Sequence, residues 1–452
     1  MSFHRNSSFH PAAQWHAQPL SALPTPSVVI DRAVFTRNSR RMLDAARKQG
    51  MQFRVHIKTH KTSEGTRLQL DPFQSGDQGR QRADRLIVST VEEGWMLVNS
   101  GTLRDHGVKS VLYSLPPAPN TLERLATLRA AMAAVDCKLL LMVDLPAQIK
   151  AVEVLPHADA RPWHVFIKVD AGYHRAGVPV HTKQFEETVK ALLESAQTSL
   201  YGFYVHAGNS YSATSRDEAN TYLDDEITAV TEASSLAREI ISANEDLKAK
   251  YAESTFVLSV GATPTANAAR MKSESEGGSV GMSANADELE LHAGNYSLYD
   301  LQQFATSMID EDQIGLFVLS TVCSVYPGRN SDIGEALCDA GGLAMSKDKG
   351  PLPGHGNVRS DTGQGLKGWY LGRIAQEHGV LTHSAESAEG KQPTGTVRLP
   401  RYGEKLRILP QHACMTLANH PWFYIVDSSL ERQGTNWEEW TVRDVWTPAK
   451  FW

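Results

Sequence analysis

Eight short apolar runs recur along the first two thirds of the chain, with segments of helical period between most of them. They are FRVHIK (53–58), LIVST (86–90), VLYS (111–114), LLLMVD (139–144), VFIKVD (165–170), LYGFYVH (200–206), FVLSVG (256–261) and ELELH (288–292). The helical segments include 119–134, 181–198 and the long 216–248. Strands alternating with helices form a parallel sheet covered by those helices, and eight such units are the count of a (β/α)8 TIM barrel, an α/β fold. An earlier run, SVVI (27–30), is also predicted as a strand, and a helix pattern carrying Val34, Met42 and Leu43 follows it.

After about residue 304 the texture changes. LFVLSTVCSVY (316–326), TVRLP (396–400), KLRILP (405–410) and WFYIVD (422–427) are rich in β-formers and separated by Gly and Pro. They predict a second, β-rich domain with one short helix near 366–376 and loops at 346–366 and 383–393. The domain reading is therefore a barrel over 31–304, a β-rich domain over 305–452 that takes in the strand at 25–30, and an N-terminal arm over 1–24.

With 452 residues and 41% hydrophobic content, the chain can bury a large core. A net charge of −6 argues against nucleic acid or a membrane surface as a partner. The longest apolar stretch, around Leu139–Val143, is far too short to cross a bilayer. The first residues, MSFHRNSSFHPAAQW, lack the apolar stretch of a secretory signal. Cys137, Cys323, Cys338 and Cys414 form no CxxC pair, which predicts a reducing, cytoplasmic setting and no disulfide framework or zinc knuckle.

Three runs share a chemical pattern. In QFRVHIKTHK, Phe53, Val55 and Ile57 alternate with Arg54, His56 and Lys58. A strand sends these two sets to opposite faces, so in a barrel the polar set points inward. A lysine at a strand's C-terminal end sits where barrel enzymes keep their active sites. Lys168 and Asp170 repeat the pattern in VFIKVDAGYHRAG, as do Tyr204 and His206 in GFYVHAGNSY. Gly-containing turns follow the last two runs, SVGATPTAN (259–267) and LHAGNYSLYD (291–300). Small residues there let backbone N–H groups approach an anion, and the loops after strands 7 and 8 are this barrel's usual phosphate site. His412 and Cys414, in PQHAC, would face one way on a strand. By themselves they fit either a buried pair or an open, catalytic metal site.

These blocks resemble the D-serine dehydratase and D-threonine aldolase family, whose members have the alanine-racemase-like fold. RVHIKTHK (54–61), DAGYHRAGV (170–178), YVHAGNSY (204–211), GATPTA (261–266), HAGNYSLYD (292–300) and DAGGLAMSKD (339–348) match its ordered blocks. Val55 and Ala293 stand where the family has proline. The resemblance implies a pyridoxal 5′-phosphate enzyme with Lys58 as the Schiff-base lysine and catalytic base. It implies cofactor contacts from Tyr204, Thr263, Gly294 and Asn295, chiefly to the phosphate, with Gly261 in the same turn and His206 beside it. Arg175 and Tyr211 would lie near the ring or substrate. His412 and Cys414 would hold Zn2+, as in the eukaryotic, fungal-type D-serine dehydratases; the aldolase branch has Asp at the second position. The implied reaction turns D-serine into pyruvate and ammonia, in a homodimer acting on a small D-amino acid. D-threonine-aldolase-type cleavage of β-hydroxy-D-amino acids is the alternative, and a non-catalytic cofactor-binding barrel is the alternative of another class.

Overall fold

The structure is a computed structural model that describes residues 12–73, 82–155, 161–213, 215–275, 287–383 and 397–452. Two compact units divide the chain. One comprises Ser39–Tyr296, Thr306–Met308 and Ala449–Trp452; the other comprises Met1–Asn38, Ser297–Ala305 and Ile309–Pro448.

The first strand, β1 (Ser27–Asp31), belongs to the second unit. The next eight close the barrel: β2 (Gln52–His56), β3 (Arg85–Val88), β4 (Ser110–Tyr113), β5 (Lys138–Val143), β6 (Trp163–Lys168), β7 (Thr198–Tyr204), β8 (Val257–Val260) and β9 (Glu288–Ala293). All neighbours are parallel, and β9 pairs back onto β2. The alternation within each run explains the barrel's two faces. Ile87, Leu112, Leu140, Met142, Phe166, Tyr204 and Val257 pack as one interior cluster. At Gly202 a Cβ would stand 1.9 Å from the Val257 carbonyl oxygen, so glycine is needed for β7 to approach β8.

Outside, helix Lys183–Glu194 buries Phe185, Thr188, Val189, Leu192 and Leu193, the i, i+3, i+4 stripe that covers a sheet. The predicted segment 216–248 is two helices, Arg216–Ser242 and Glu245–Tyr251. Asn244 divides them, because its side chain accepts from the N–H groups of Asp246 and Leu247 and starts a new helix.

The second unit is built on a nine-stranded sheet. Its further strands are β10 (Leu316–Tyr326), β11 (Glu335–Cys338), β12 (Gly356–Val358), β13 (Trp369–Ile374), β14 (Gly379–His383), β15 (Lys405–Pro410), β16 (Phe423–Val426) and β17 (Asp444–Trp446). The order is β11-β14-β13-β12-β15-β10-β1-β16-β17. The predicted helix near 366–376 is instead β13, where Trp369 and Leu371 point into the core and pairing to β14 overrides local propensity. The predicted loop 346–366 contains the short β12. No strand forms at 397–400; there Arg398 is held by Glu404, and its carbonyl accepts from Trp369 Nε1 at 3.1 Å. Residues 384–393 of the other predicted loop lie outside the described residues, as do 1–11 of the arm. Part of the rest of the arm runs beside residues 440–442: Leu20 N–H donates to the Trp440 carbonyl at 2.9 Å and Ala17 N–H to the Val442 carbonyl at 2.8 Å. No described helix is long and apolar enough to cross a membrane.

One ion pair stands inside the barrel. Arg54 Nε lies 2.6 Å from Glu290 Oε1, and both side chains are fully buried. Arg85 Nη1 holds the other carboxylate oxygen at 2.9 Å, and Arg54 Nη1 donates to Ser110 Oγ at 3.0 Å. Burial alone would raise the Glu290 pKa, but Arg54 and Arg85 outweigh it and hold the carboxyl below its usual range. The pair's contribution is therefore present at neutral pH and lost as pH falls through that lowered value. Glu290→Leu leaves the Arg54 charge buried without its partner, at a cost of about 3–5 kcal/mol. The double variant Glu290→Leu, Arg54→Leu should recover most of that loss. Urea unfolding midpoints at pH 7 check both; equal destabilisation by the single and double changes would contradict the assignment.

Candidate active site

A cavity of about 320 Å³ opens in the barrel unit, and its lining residues lie at or just beyond the C-terminal ends of the strands. Lys58 enters it from the turn after β2. That turn is tied at both sides. Ile57 N–H donates to the Ile87 carbonyl at 3.2 Å, and Lys61 N–H to the Ile57 carbonyl at 2.9 Å. Behind it the buried His60 accepts from Thr62 N–H through Nδ1 at 3.1 Å, so its Nε2–H donates to Gln69 Oε1 at 2.8 Å. Lys61 turns away to Glu93, 3.0 Å distant and fully buried. Two lysines three positions apart are thus sorted, one to the cavity and one to a structural ion pair.

Beside Lys58, part of the cavity wall is backbone and small side chains. Gly261 has φ +142°, and a Cβ there would lie 2.1 Å from the His292 carbonyl oxygen, so the turn demands glycine. Helix Thr263–Ser275 begins two residues later, and Ala262 and Thr263 line the cavity. A Cβ at position 294 would stand 3.4 Å from Lys58 Cε. Close backbone approach at the start of a 13-residue helix makes an anion seat.

Histidines form much of the rest. His292 stacks on Tyr204 with ring centroids 4.1 Å apart and planes at 16°. Ser259 Oγ gives its one proton to Glu290 Oε1 at 2.8 Å and so accepts from His292 Nδ1 at 3.0 Å. His56 Nδ1–H donates to the Ile87 carbonyl at 3.2 Å and His206 Nδ1–H to the Gly261 carbonyl at 2.9 Å. All three imidazoles are therefore the Nδ1–H form. Burial holds each well below the usual histidine pKa; Lys58 then adds to the effect at His56 and His206, and His206 and Lys168 add to it at His292. They are neutral at pH 7. Lys168, 4.5 Å from the Tyr204 ring, is pushed down to about 7 by burial and then by the Arg175 charge.

The other residues anticipated for the cofactor line this cavity, except Asn295. Arg175 is exposed on the loop after β6 and lines the rim, and Tyr211 lines it from the turn Gly208–Ser212. Asp170 shapes the Arg175 loop by accepting from the N–H groups of Gly172 and His174 at 3.1 and 3.0 Å. Asn295 is buried behind the wall rather than in it; its N–H donates to Thr263 Oγ1 at 3.3 Å.

His412 and Cys414 belong to the other unit. They are not on a strand, because β15 ends at Pro410 and helix Ala413–Asn419 starts directly after His412. The two side chains still meet, in a hydrogen bond across the helix start. Burial lowers the His412 pKa, but Cys414, Asp300 and Asp348 outweigh it and raise it to about 9. Asp348 Oδ1 is 4.0 Å from His412 Nδ1. Among the described residues no group of three or more such ligands surrounds a common point.

Two buried residues escaped the sequence reading. His292 had a usable signal, since Glu288, Glu290 and His292 alternate with leucines just as Arg54, His56 and Lys58 alternate with apolar residues. Glu226 had none: it lies in the charged run DDEIT of a long helix yet is fully buried.

The geometry agrees with what the chain resembles. Residues 30–275 match "Alanine racemase, N-terminal domain", and 315–426 match "Putative serine dehydratase domain". D-serine dehydratase of Schizosaccharomyces pombe is 36% identical over 97% of this chain and 94% of its own length. D-serine dehydratase of Saccharomyces cerevisiae is 33% identical over 97% of this chain and 99% of its own. Among solved structures, a D-threo-3-hydroxyaspartate dehydratase in which a histidine is replaced by alanine superposes with TM-score 0.74 at 26% identity, covering 98% of each chain. A second variant of that enzyme, with a cysteine two residues further on replaced, is in the metal-free form; it superposes with TM-score 0.73 at 26% identity, covering 96% of this chain and 100% of that one. The chain thus belongs to the alanine-racemase-like family of barrel enzymes that includes the D-serine dehydratases.

Proposed function

We propose that this protein dehydrates D-serine to pyruvate and ammonia, using pyridoxal phosphate at Lys58 and a zinc ion at His412 and Cys414. The observation that carries the reading is that Lys58 shares one small cavity with a glycine-walled anion seat at a helix start. The cavity's donor set fits the cofactor. Lys58 would take its aldehyde carbon, and Gly261, Thr263 and Gly294 would line the phosphate seat, braced from behind by the Asn295 N–H on Thr263 Oγ1, with Tyr204, His206, Tyr211 and Arg175 around the rest. When bound, pyridoxal phosphate supplies an electron sink conjugated to the substrate's α-carbon.

The chain's own residues do the remaining work. Lys58 Nζ would hold the cofactor and is the base placed to take the substrate's α-proton. Arg175 at the rim offers a guanidinium to the substrate carboxylate. The neutral imidazoles of His56, His206 and His292 can accept hydrogen bonds without adding positive charge that would trap the substrate anion. A β-hydroxyl is a poor leaving group, and a Lewis acid would assist it. His412 and Cys414 offer an imidazole and a thiol in mutual contact, a donor pair suited to zinc with positions left open for substrate or water. The histidine and cysteine replaced in the related hydroxyaspartate enzyme, the latter in a metal-free form, support this assignment by their equal spacing.

A second reading, aldol cleavage of a β-hydroxy-D-amino acid, shares the cofactor site and is separated by its products. D-serine should yield pyruvate and ammonia in equal amounts, whereas glycine plus an aldehyde from D-threonine, without pyruvate from D-serine, would favour cleavage. Lys58→Ala should remove the protein-bound visible absorption band and lower turnover by roughly a thousandfold or more. A band that survives, in a protein with unchanged circular dichroism, would move the attachment to another lysine. Exhaustive chelation should abolish D-serine turnover while leaving the visible band in place, with zinc restoring activity; full activity in metal-free protein would remove the Lewis acid from the mechanism.

A further inference from the structure

Glu226 lies on helix Arg216–Ser242 and is fully buried, although its neighbours in sequence are solvated. It does not line the cavity. Its Oε1 accepts from two backbone amides in different loops, Ala207 N–H at 2.6 Å and Gly261 N–H at 3.2 Å. The Thr265 hydroxyl lies close enough to the carboxyl group to pull its pKa down. Its Oε2 is buried and has no hydrogen-bond partner among the described residues.

These contacts close a ring. Ala207 follows His206, whose Nδ1–H donates to the Gly261 carbonyl at 2.9 Å, and Gly261 N–H returns to the same carboxylate oxygen. One side chain thus fixes the peptide planes on both sides of the cavity's anion end. The Gly261 turn leads to Thr263, and the Ala207 turn leads to Tyr211; both residues line the cavity. Glycine reaches φ +142° without strain but is also free to leave it, so the hydrogen bond on the Gly261 N–H restricts where that peptide plane can turn. Carboxylates are seldom buried in a barrel wall without a matching cation, because desolvation is costly. Here burial raises the Glu226 pKa to about 7 against the pull of Ala207, Thr265, Gly261 and Lys168, so much of its charge is absent at neutral pH and an anion can be seated nearby.

We infer that Glu226 is a positioning residue for the phosphate seat: its carboxyl oxygen clamps the Ala207 and Gly261 amides together and so holds the two cofactor-bearing loops in register. This rests on the reading of the cavity as the pyridoxal phosphate site. What the clamp requires is an acceptor, and a full negative charge is not needed.

The test uses the full-length protein as apoenzyme and holoenzyme. Glu226→Gln retains a carbonyl acceptor and should keep the pyridoxal phosphate dissociation constant within about threefold, whereas Glu226→Ala should raise it about tenfold or more. In the apoenzyme, amide exchange at Ala207 and Gly261 should quicken in Glu226→Ala and stay near wild type in Glu226→Gln. An unchanged dissociation constant in Glu226→Ala would overturn the clamp. So would an equal loss in both variants, because the charge would then be what matters. If Glu226→Ala does not fold, the Glu226→Gln exchange rates decide alone: fast exchange at both amides would overturn it. Failure of the wild-type protein to bind pyridoxal phosphate would instead sink the underlying reading of the cavity.

Discussion

The salt bridge between Arg54 and Glu290 stands where β9 pairs back onto β2 and the barrel closes. Two fully buried charges at that seam leave one register available, because a slip of one strand by one residue would turn its charge outward and leave the other buried without a partner. The bridge also sets the chemistry above it. Glu290, kept ionised, takes the Ser259 proton, and Ser259 must then accept from His292. A structural ion pair on one layer of the barrel therefore decides which nitrogen of a cavity-lining imidazole carries the lone pair on the next.

The cavity follows an electrostatic rule opposite to that of the whole chain. The chain's net charge is −6, yet Lys58, Lys168 and Arg175 all face this one space. Confined cations in a low-dielectric wall attract an anion far more strongly than the same charges on an open surface. They also act on their neighbours: His56, His206 and His292 sit too close to them, and too deep, to be protonated at neutral pH. The site thus divides into cations that draw an anionic ligand in and neutral rings that can hydrogen-bond it.

Alternation and spacing made most of the barrel legible in the sequence. A period of two in QFRVHIK and VFIKVD is a local property, and the inward facing of Arg54, Lys58 and Lys168 follows from it once the strands are counted. The Gly261 and Gly294 turns were readable because only small residues permit such backbone approaches. What escaped depended on distant partners. Trp369–Ile374 is a strand because β14 is there to pair with it. Pro410–Cys414 leaves the sheet at the start of a helix, where Asp300 Oδ2 receives the Ala413 N–H at 2.9 Å. The meeting of His412 and Cys414, inferred from a strand's geometry, arises instead from a cap residue and the first turn of a helix.

Two of the barrel unit's buried glutamates, Glu290 and Glu226, show how partners, and not burial alone, decide the fate of a charge. Both are fully buried. Glu290 faces two guanidiniums, which compensate its desolvation and hold it below the usual carboxylate range. Glu226 meets peptide N–H groups, a hydroxyl and an amine, Lys168, that burial itself brings down to about 7. Dipoles and a half-neutral amine compensate only part of the same cost, so Glu226 stays near the midpoint of its titration at pH 7. The arrangement places the firm negative charge in the closing seam, two guanidiniums deep, and the weak one beside the anion seat. Exchanging the two environments would put a permanent carboxylate behind the Gly261 turn, and the proposed anion seat would then repel an anion instead of receiving it.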